Sequence, residues 1–270
     1  MRIAKYLAGA GIASRRESEK LIMEGRVKAN GIVVTNLAQQ ISTGDRVLFD
    51  DKPVPKIQKA RIWKYYKPNG VITSTKDDKD RPTVFANLPA NLPKVISVGR
   101  LDINSEGLLL LTNNGDLKRF LELPANSFDR TYRVRVRGKP TENRLAPLTK
   151  GITVGKDKFM PMAISIDTVS KSNSWLTITL KEGKNREVRR ALNYIGLEVN
   201  RLIRISYGPL SLSTLGKNEV QEINFKSFIG ELLQMGFKES DLPFISQEKP
   251  RKPKLPHKPR AKPNNRRRKR

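Results

Sequence analysis

The sequence predicts an α+β protein in two unequal parts, a small helical and β module followed by a larger domain around a mixed, mostly antiparallel sheet. Three observations predict it. The first fifty residues hold a capped helix, then a strand, an Asn-Gly turn and a second strand. The stretch Asp50-Asp51-Lys52-Pro53-Val54-Pro55-Lys56 is polar and carries two prolines, which marks a linker. From about Arg61 onward, short apolar runs alternate with turn signals and helical patterns.

In the leading module, Ser14 followed three positions later by Glu17 is a capping-box pattern, and it predicts a helix from about Arg15 to Glu24. Gly25 stands where a C-terminal cap belongs. Val27-Lys28-Ala29, Asn30-Gly31 and Ile32-Val33-Val34 read as strand, tight turn and strand, because Asn-Gly tolerates the positive φ of a type I′ turn. Gly44-Asp45 and Arg46–Phe49 add a turn and a strand. In the larger domain the strand candidates are Ile62–Tyr66, Val95–Val98, Leu108–Thr112, Thr131–Arg137, Trp175–Leu180 and Leu202–Ile205. Lys67-Pro68-Asn69-Gly70 and Asn113-Asn114-Gly115 are read as turns. Phe225, Phe228, Ile229, Leu232 and Leu233 follow helical spacing and predict an amphipathic helix with a packing role. The domain boundaries expected are 1–56, 57–240 and a tail at 241–270. From Lys249 to Arg270 the tail has twelve basic residues, five prolines and no acid, a composition expected to stay disordered and to bind RNA electrostatically.

Composition narrows the function. The 270 residues contain 53 Lys and Arg against 26 Asp and Glu, a net charge of +27. Such a surface repels itself unless a polyanion is the partner, and nucleic acid is the default. Membrane binding is disfavoured, because the basic stretches lack amphipathic helices with an aromatic face and no apolar run is long enough to span. With no signal-peptide core at the start, a cytoplasmic protein is expected; a monomer is the expectation for its assembly, with no sequence feature behind it. The absence of Cys removes thiolate nucleophiles and Cys-ligated zinc, and the single His257 lies in the tail, so catalysis must run on carboxylate, Tyr, Lys or Arg. No Walker loop or dinucleotide glycine fingerprint is present, and neither metal nor cofactor is expected.

Several residues stand out on this background. Arg15 and Arg16 occupy a first helical turn, where the macrodipole disfavours each cation by about 0.3–1 kcal/mol. A phosphate held by the turn's free amides and both guanidiniums offsets that cost, and a solvated charged turn is the plainer alternative. Val98-Gly99-Arg100-Leu101-Asp102 places an acid just after an apolar strand, where Asp is either a turn or capping residue or a catalytic group. In Arg130–Arg137 the period-two alternation puts Tyr132, Val134 and Val136 on one face and Arg133, Arg135 and Arg137 on the other. Tyr132 either ends the core or borders a cleft, where its ring stacks on a base and its hydroxyl handles a proton. Glu182-Gly183-Lys184-Asn185-Arg186-Glu187-Val188-Arg189-Arg190 runs into a helix on which Arg186 and Arg190 share a face, either as a phosphate clamp or with one arginine paired to a buried carboxylate.

These segments occur in an order that resembles the pseudouridine synthases of the RsuA/RluB type. The resemblance rests on Gly99-Arg100-Leu101-Asp102, its continuation Glu106-Gly107-Leu108-Leu109-Leu110-Leu111-Thr112-Asn113-Asn114-Gly115-Asp116, the Lys67–Gly70 turn, Arg130-Thr131-Tyr132-Arg133-Val134, and Glu182–Arg190. The leading module resembles the α-L RNA-binding motif that these enzymes share with a small-subunit ribosomal protein. The resemblance implies a small α-L RNA-binding domain plus a pseudouridine synthase catalytic domain, free of metal and cofactor. It implies that Asp102 is the nucleophile or electrostatic catalyst, that Tyr132 stacks on the base and assists loss of the C5 proton, and that Arg189 ion-pairs with Asp102. Leu202 would lie beneath the flipped base, and Arg100 would support the opened base pair. Arg15, Arg16, Arg186 and Arg190 are further candidates for RNA contact. The basic tail is more like the large-subunit RluB branch, so the expected partner is 23S ribosomal RNA or a ribosome assembly intermediate. A 16S-specific synthase of the same fold and a non-catalytic rRNA-binding assembly factor are the alternatives.

Overall fold

A computed structural model describes residues 1–42, 44–74 and 79–244. The leading module has helices α1 (Ile3–Gly9) and α2 (Arg15–Met23) and strands β1 (Val27–Ala29), β2 (Ile32–Val33), β3 (Val47–Phe49) and β4 (Lys52–Pro53), the strands ordered β2-β1-β3-β4. The capping box forms as expected: the Ser14 side chain accepts from the Glu17 amide, and the Glu17 carboxylate accepts from the Ser14 amide. Asn30 and Gly31, at φ 52° and 85°, make the tight turn between β1 and β2. Ile3, Leu7, Ile22, Val27 and Val47 close a core of the module's own.

The segment expected to be a linker begins instead as a hairpin. Asp50 and Asp51 take φ values of 47° and 61°, turning β3 back into β4, and their carboxylates pair with Arg26 at 2.6 Å and Lys28 at 2.5 Å. A short edge strand tolerates Pro53, whose missing N–H removes no ladder bond on an open side.

The second domain contains β5 (Ile62–Lys67), β6 (Ile96–Val98), β7 (Glu106–Thr112), α3 (Gly115–Glu122), β8 (Arg130–Arg137), α4 (Glu142–Lys150), β9 (Ile152–Val154), β10 (Asp157–Phe159), β11 (Ala163–Val169), β12 (Asn173–Leu180), α5 (Glu187–Tyr194), β13 (Val199–Tyr207), β14 (Leu210–Ser211), β15 (Val220–Glu222) and α6 (Phe225–Gln234). Nine strands form one sheet, ordered β11-β12-β8-β13-β7-β5-β15, with β6 beside β7 and β14 beside β13. The register is antiparallel except where β13 meets β7, at Ile203↔Glu106 and Arg204↔Gly107. That parallel seam joins two halves. On one, Val134, Val136, Leu176, Ile178 and Leu202 pack under α4 and α5, and on the other Ile62, Leu108 and Leu110 pack under α3 and α6.

The Asn113-Asn114-Gly115 turn leads out of β7 into α3, which the Asn114 side chain caps by accepting from the Asp116 and Leu117 amides. Packing also continues past the boundary at 240, since Leu242 and Phe244 are buried and the Phe244 ring meets Phe120 edge-on at 5.3 Å. The basic run from Lys249 to Arg270 lies outside the described residues. Among the described residues, no helix is long and apolar enough to cross a membrane.

Candidate active site

The loop between β6 and β7 is fastened at nearly every residue, and this places Asp102. The Glu122 carboxylate accepts from the Gly99 amide at 2.5 Å, and Thr73 Oγ1 both donates to the Leu101 carbonyl and accepts from the Leu101 amide. Leu101 is buried beneath. The Ser105 amide donates to the Asp102 carbonyl at 3.0 Å, and the Gly70 amide to the Ile103 carbonyl at 2.8 Å. Lys67, fully buried at the end of β5, donates from Nζ to the carbonyls of Ser105 at 2.7 Å and Pro68 at 3.0 Å. Burial pushes its ammonium down to about 8, against the opposing pull of the Asp102 and Glu106 charges. Arg189 completes the fastening by donating to the Asn104 carbonyl at 2.7 Å and the Val199 carbonyl at 2.9 Å.

So held, Asp102 lines a cavity of about 700 Å³ with Arg100, Leu101, Tyr132, Arg186, Val188, Leu202 and Arg204. This volume lies within the range of about 300–1,000 Å³ usual for small-ligand sites. Tyr132 enters from the start of β8, half-buried between the cluster under α4 and α5 and the cluster that holds Leu101, and Leu202 forms apolar floor from β13. Arg100 is exposed at the rim.

The arginine that faces the acid is not the expected one. Arg186 Nη1 stands 3.8 Å from Asp102 Oδ2, whereas Arg189 is committed to the two carbonyls and acts on Asp102 only through space. The reason is local backbone. Arg186 does not lie on the helix: it is the residue before α5, in a left-handed conformation at φ 48°, and that kink swings its side chain toward the β6–β7 loop. Arg190 does lie on α5, turned away from Asp102. It pairs with Asp157 at 2.6 Å, donates to the Val154 carbonyl and covers the Phe159 ring at 5.0 Å, so Arg186 and Arg190 do not form one clamp. Arg15 and Arg16 are exposed on the leading module and take no part in lining the cavity.

Sequence reasoning missed several supporting residues. Arg130 donates to the Lys181 carbonyl at 2.9 Å and to the Tyr207 hydroxyl at 3.0 Å, tying β8 to the loop that carries Arg186. Arg204 is buried in the seam and donates to the Leu108 carbonyl at 2.7 Å. Glu106, also buried, takes a two-pronged hold from Arg201 at 2.6 and 3.0 Å, which keeps its carboxyl below the usual carboxylate range. Lys67 was readable only as part of a turn, since an alternating pattern ending in Lys signals exposure.

Removing the Arg186 guanidinium is expected to cost activity without unfolding the chain, because the side chain is half exposed and forms no hydrogen bond among the described residues. Arg186→Gln should lower kcat by roughly tenfold to a hundredfold, about 1.4–2.7 kcal/mol of barrier, with a melting temperature close to the parent's. Steady-state kinetics beside a thermal melt separates the two effects.

Residues 61–194 match the family model described as RNA pseudouridylate synthase, and residues 1–47 match the S4 domain. The chain is 47% identical over 227 residues to an uncharacterized RNA pseudouridine synthase of Rickettsia bellii, covering 84% of this chain and 98% of that protein. It is 38% identical over 228 residues to the ribosomal large subunit pseudouridine synthase B of Bacillus subtilis, covering 82% and 91%. Among solved structures, a pseudouridylate synthase crystal structure superposes with a TM-score of 0.59 at 28% identity, covering 86% of this chain and 99% of that one. The chain belongs to the RNA pseudouridine synthases, in the RsuA/RluB family that joins an S4 domain to this catalytic domain.

Proposed function

We propose that this chain isomerises one uridine of large-subunit (23S) ribosomal RNA, with Asp102 as the essential carboxylate. The observation that carries the reading is the meeting of an acid, an aromatic ring and an arginine in one cavity: Asp102, Tyr132 and Arg186, with Leu202 as the apolar floor. The reaction breaks the N1–C1′ bond and makes a C5–C1′ bond. The proton lost from C5 is matched by one gained at N1, so the balance needs no outside reactant. Asp102 acts at the sugar–base bond as nucleophile or electrostatic catalyst, Tyr132 stacks on the base and assists at C5, and Arg186 presents its guanidinium to the acid at 3.8 Å. Arg189 works one step back, by bracing the loop that carries Asp102.

A uridine inside a helix cannot reach this acid. Extrusion costs a few kcal/mol, and the stacking surface and cationic groups offset that cost. Arg100 stands at the rim, where a displaced strand passes, and the S4 domain presents Arg15 and Arg16 as a second, electrostatic hold on phosphates. The large subunit is favoured by the likeness to the Bacillus subtilis enzyme, whose printed name specifies that subunit. The expected result is release of tritium from [5-³H]uridine in unmodified 23S RNA or a large-subunit assembly intermediate, at about one equivalent per molecule, and none from 16S RNA. Release from 16S RNA alone would reassign the substrate, and release from neither would leave only an RNA-binding assembly protein.

A further inference from the structure

The loop from Lys181 to Arg186 carries the arginine that faces Asp102, and two carboxyl groups lie directly behind it. Glu187 is only 4% exposed, and its Oε2 accepts from the Lys184 amide at 3.0 Å. Its Oε1 is fully buried and has no donor. Glu182 is satisfied on both oxygens, by the Met160 amide at 2.6 Å and by Lys184 Nζ at 2.7 Å, and its carboxyl group lies within hydrogen-bonding reach of Glu187. An ionised Glu187 would leave a buried, unpaired anionic oxygen beside a second carboxylate, an arrangement that desolvation and like-charge repulsion both disfavour. A proton on Glu187 Oε1, donated to Glu182, removes both problems with no movement of atoms.

We propose that Glu182 and Glu187 form a carboxylic acid–carboxylate pair sharing one proton, and that this pair is the clasp holding the 181–186 loop, and so Arg186, against Asp102. The positioning role rests on the function proposed above; the shared proton does not. Glu187 borders the same cavity, and its part there is to position the loop that carries Arg186.

The surroundings favour a single negative charge. Lys184 supplies one cation from the same loop, and its Nζ also donates to the Lys158 carbonyl on β10. From β10, Asp157 adds a negative charge that is already matched by Arg190 of α5. From β8, the Arg130 guanidinium lies beside Gly183 but is occupied by the Lys181 carbonyl and the Tyr207 ring. Among the described residues, Lys184 is the cation whose charge acts on both carboxyls. Burial and the neighbouring Glu182 push the Glu187 carboxyl up to about 8. Since that value is raised over the ordinary carboxylate range while Glu182 is held below it, the one-proton clasp is complete between the two ranges, at neutral pH, and opens as pH climbs through about 8.

The test compares the parent with Glu187→Gln and Glu187→Ala in kcat and KM across pH 6 to 9.5. The amide of Gln supplies a permanent donor to Glu182, so Glu187→Gln should keep neutral kcat within about threefold and lose the decline that the parent shows above about pH 8. Glu187→Ala should lower kcat by roughly tenfold to a hundredfold at all pH values with a smaller change in KM, as expected for a misplaced rather than missing group. Alkaline titration of the RNA itself affects all three proteins equally, so the difference between parent and Gln is what counts. On the unaltered protein, infrared difference spectra should show a protonated carboxyl band at neutral pH that vanishes through about pH 8 and is absent from Glu187→Gln. Absence of that band from the parent, or an alkaline limb in Glu187→Gln identical to the parent's, overturns the clasp while leaving Asp102 untouched. A protein that shows the band yet forms no pseudouridine contradicts the proposed function, and the positioning role with it.

Discussion

Asp102→Asn should reduce pseudouridine formation by roughly four orders of magnitude or more while RNA affinity stays within about threefold of the parent's. The substitution keeps the shape of the side chain and removes its charge. Nothing in the fold resists the change: the hydrogen bond that shapes the turn runs from the Ser105 amide to the Asp102 backbone carbonyl, and the side chain's own partner is Arg186 at 3.8 Å. The loop stays fastened by Lys67, Thr73, Glu122 and Arg189, none of which uses the carboxylate. A defect confined to kcat is therefore expected, with an unchanged melting temperature. Filter binding beside single-turnover product analysis reads both quantities, and a mutant as fast as the parent would remove Asp102 from the chemistry.

Gly107→Ala should be the most destabilising small substitution in the catalytic domain, by about 3–5 kcal/mol. Gly107 sits at φ 101°, where L side chains are strained, and its missing side chain is what lets β13 approach. An added Cβ would overlap the Arg204 carbonyl oxygen and stand 2.8 Å from the Arg204 nitrogen, both of them backbone. Backbone in a strand cannot move aside as a side-chain tip can. The contact is also the parallel seam between the two halves of the sheet, so relief of the clash separates Leu202 and the α5 loop from the Asp102 loop. A thermal melt should show a fall of about 10 °C, and a shift under about 1 °C would mean that the seam is looser than described.

Much of this architecture was legible because periodicity reports burial. In β8, Val134 and Val136 are fully buried while Arg133 and Arg137 are exposed, as the alternation requires. The unbroken Leu108–Leu111 run reads as a strand, and all four residues are fully buried because that strand is covered on both faces. The capping box placed α2 to within a residue at its start.

What escaped was decided by single dihedral angles and by distant contacts. The helix after Gly183 was read to include Arg186, but one left-handed residue starts it later, and that shift exchanges the roles of Arg186 and Arg189. Asp50-Asp51 looks like linker until both residues are seen at positive φ, which makes the segment a turn. Lys67 and Glu106 are charged residues of ordinary sequence appearance. Their burial follows from carbonyls 36 to 38 residues away and from an arginine 95 residues away. No local pattern encodes such partners, so the residues that brace the Asp102 loop were not legible in the sequence.

The most direct measurement maps carbodiimide-dependent reverse-transcription stops over the ribosomal RNA of cells lacking this chain, then of the same cells given back either the parent or Asp102→Asn. One stop in the 23S RNA should vanish with the chain, return with the parent and stay absent with the asparagine variant. Identical stop patterns in all of these cells, or restoration by Asp102→Asn, would contradict a uridine isomerase that works through this carboxylate.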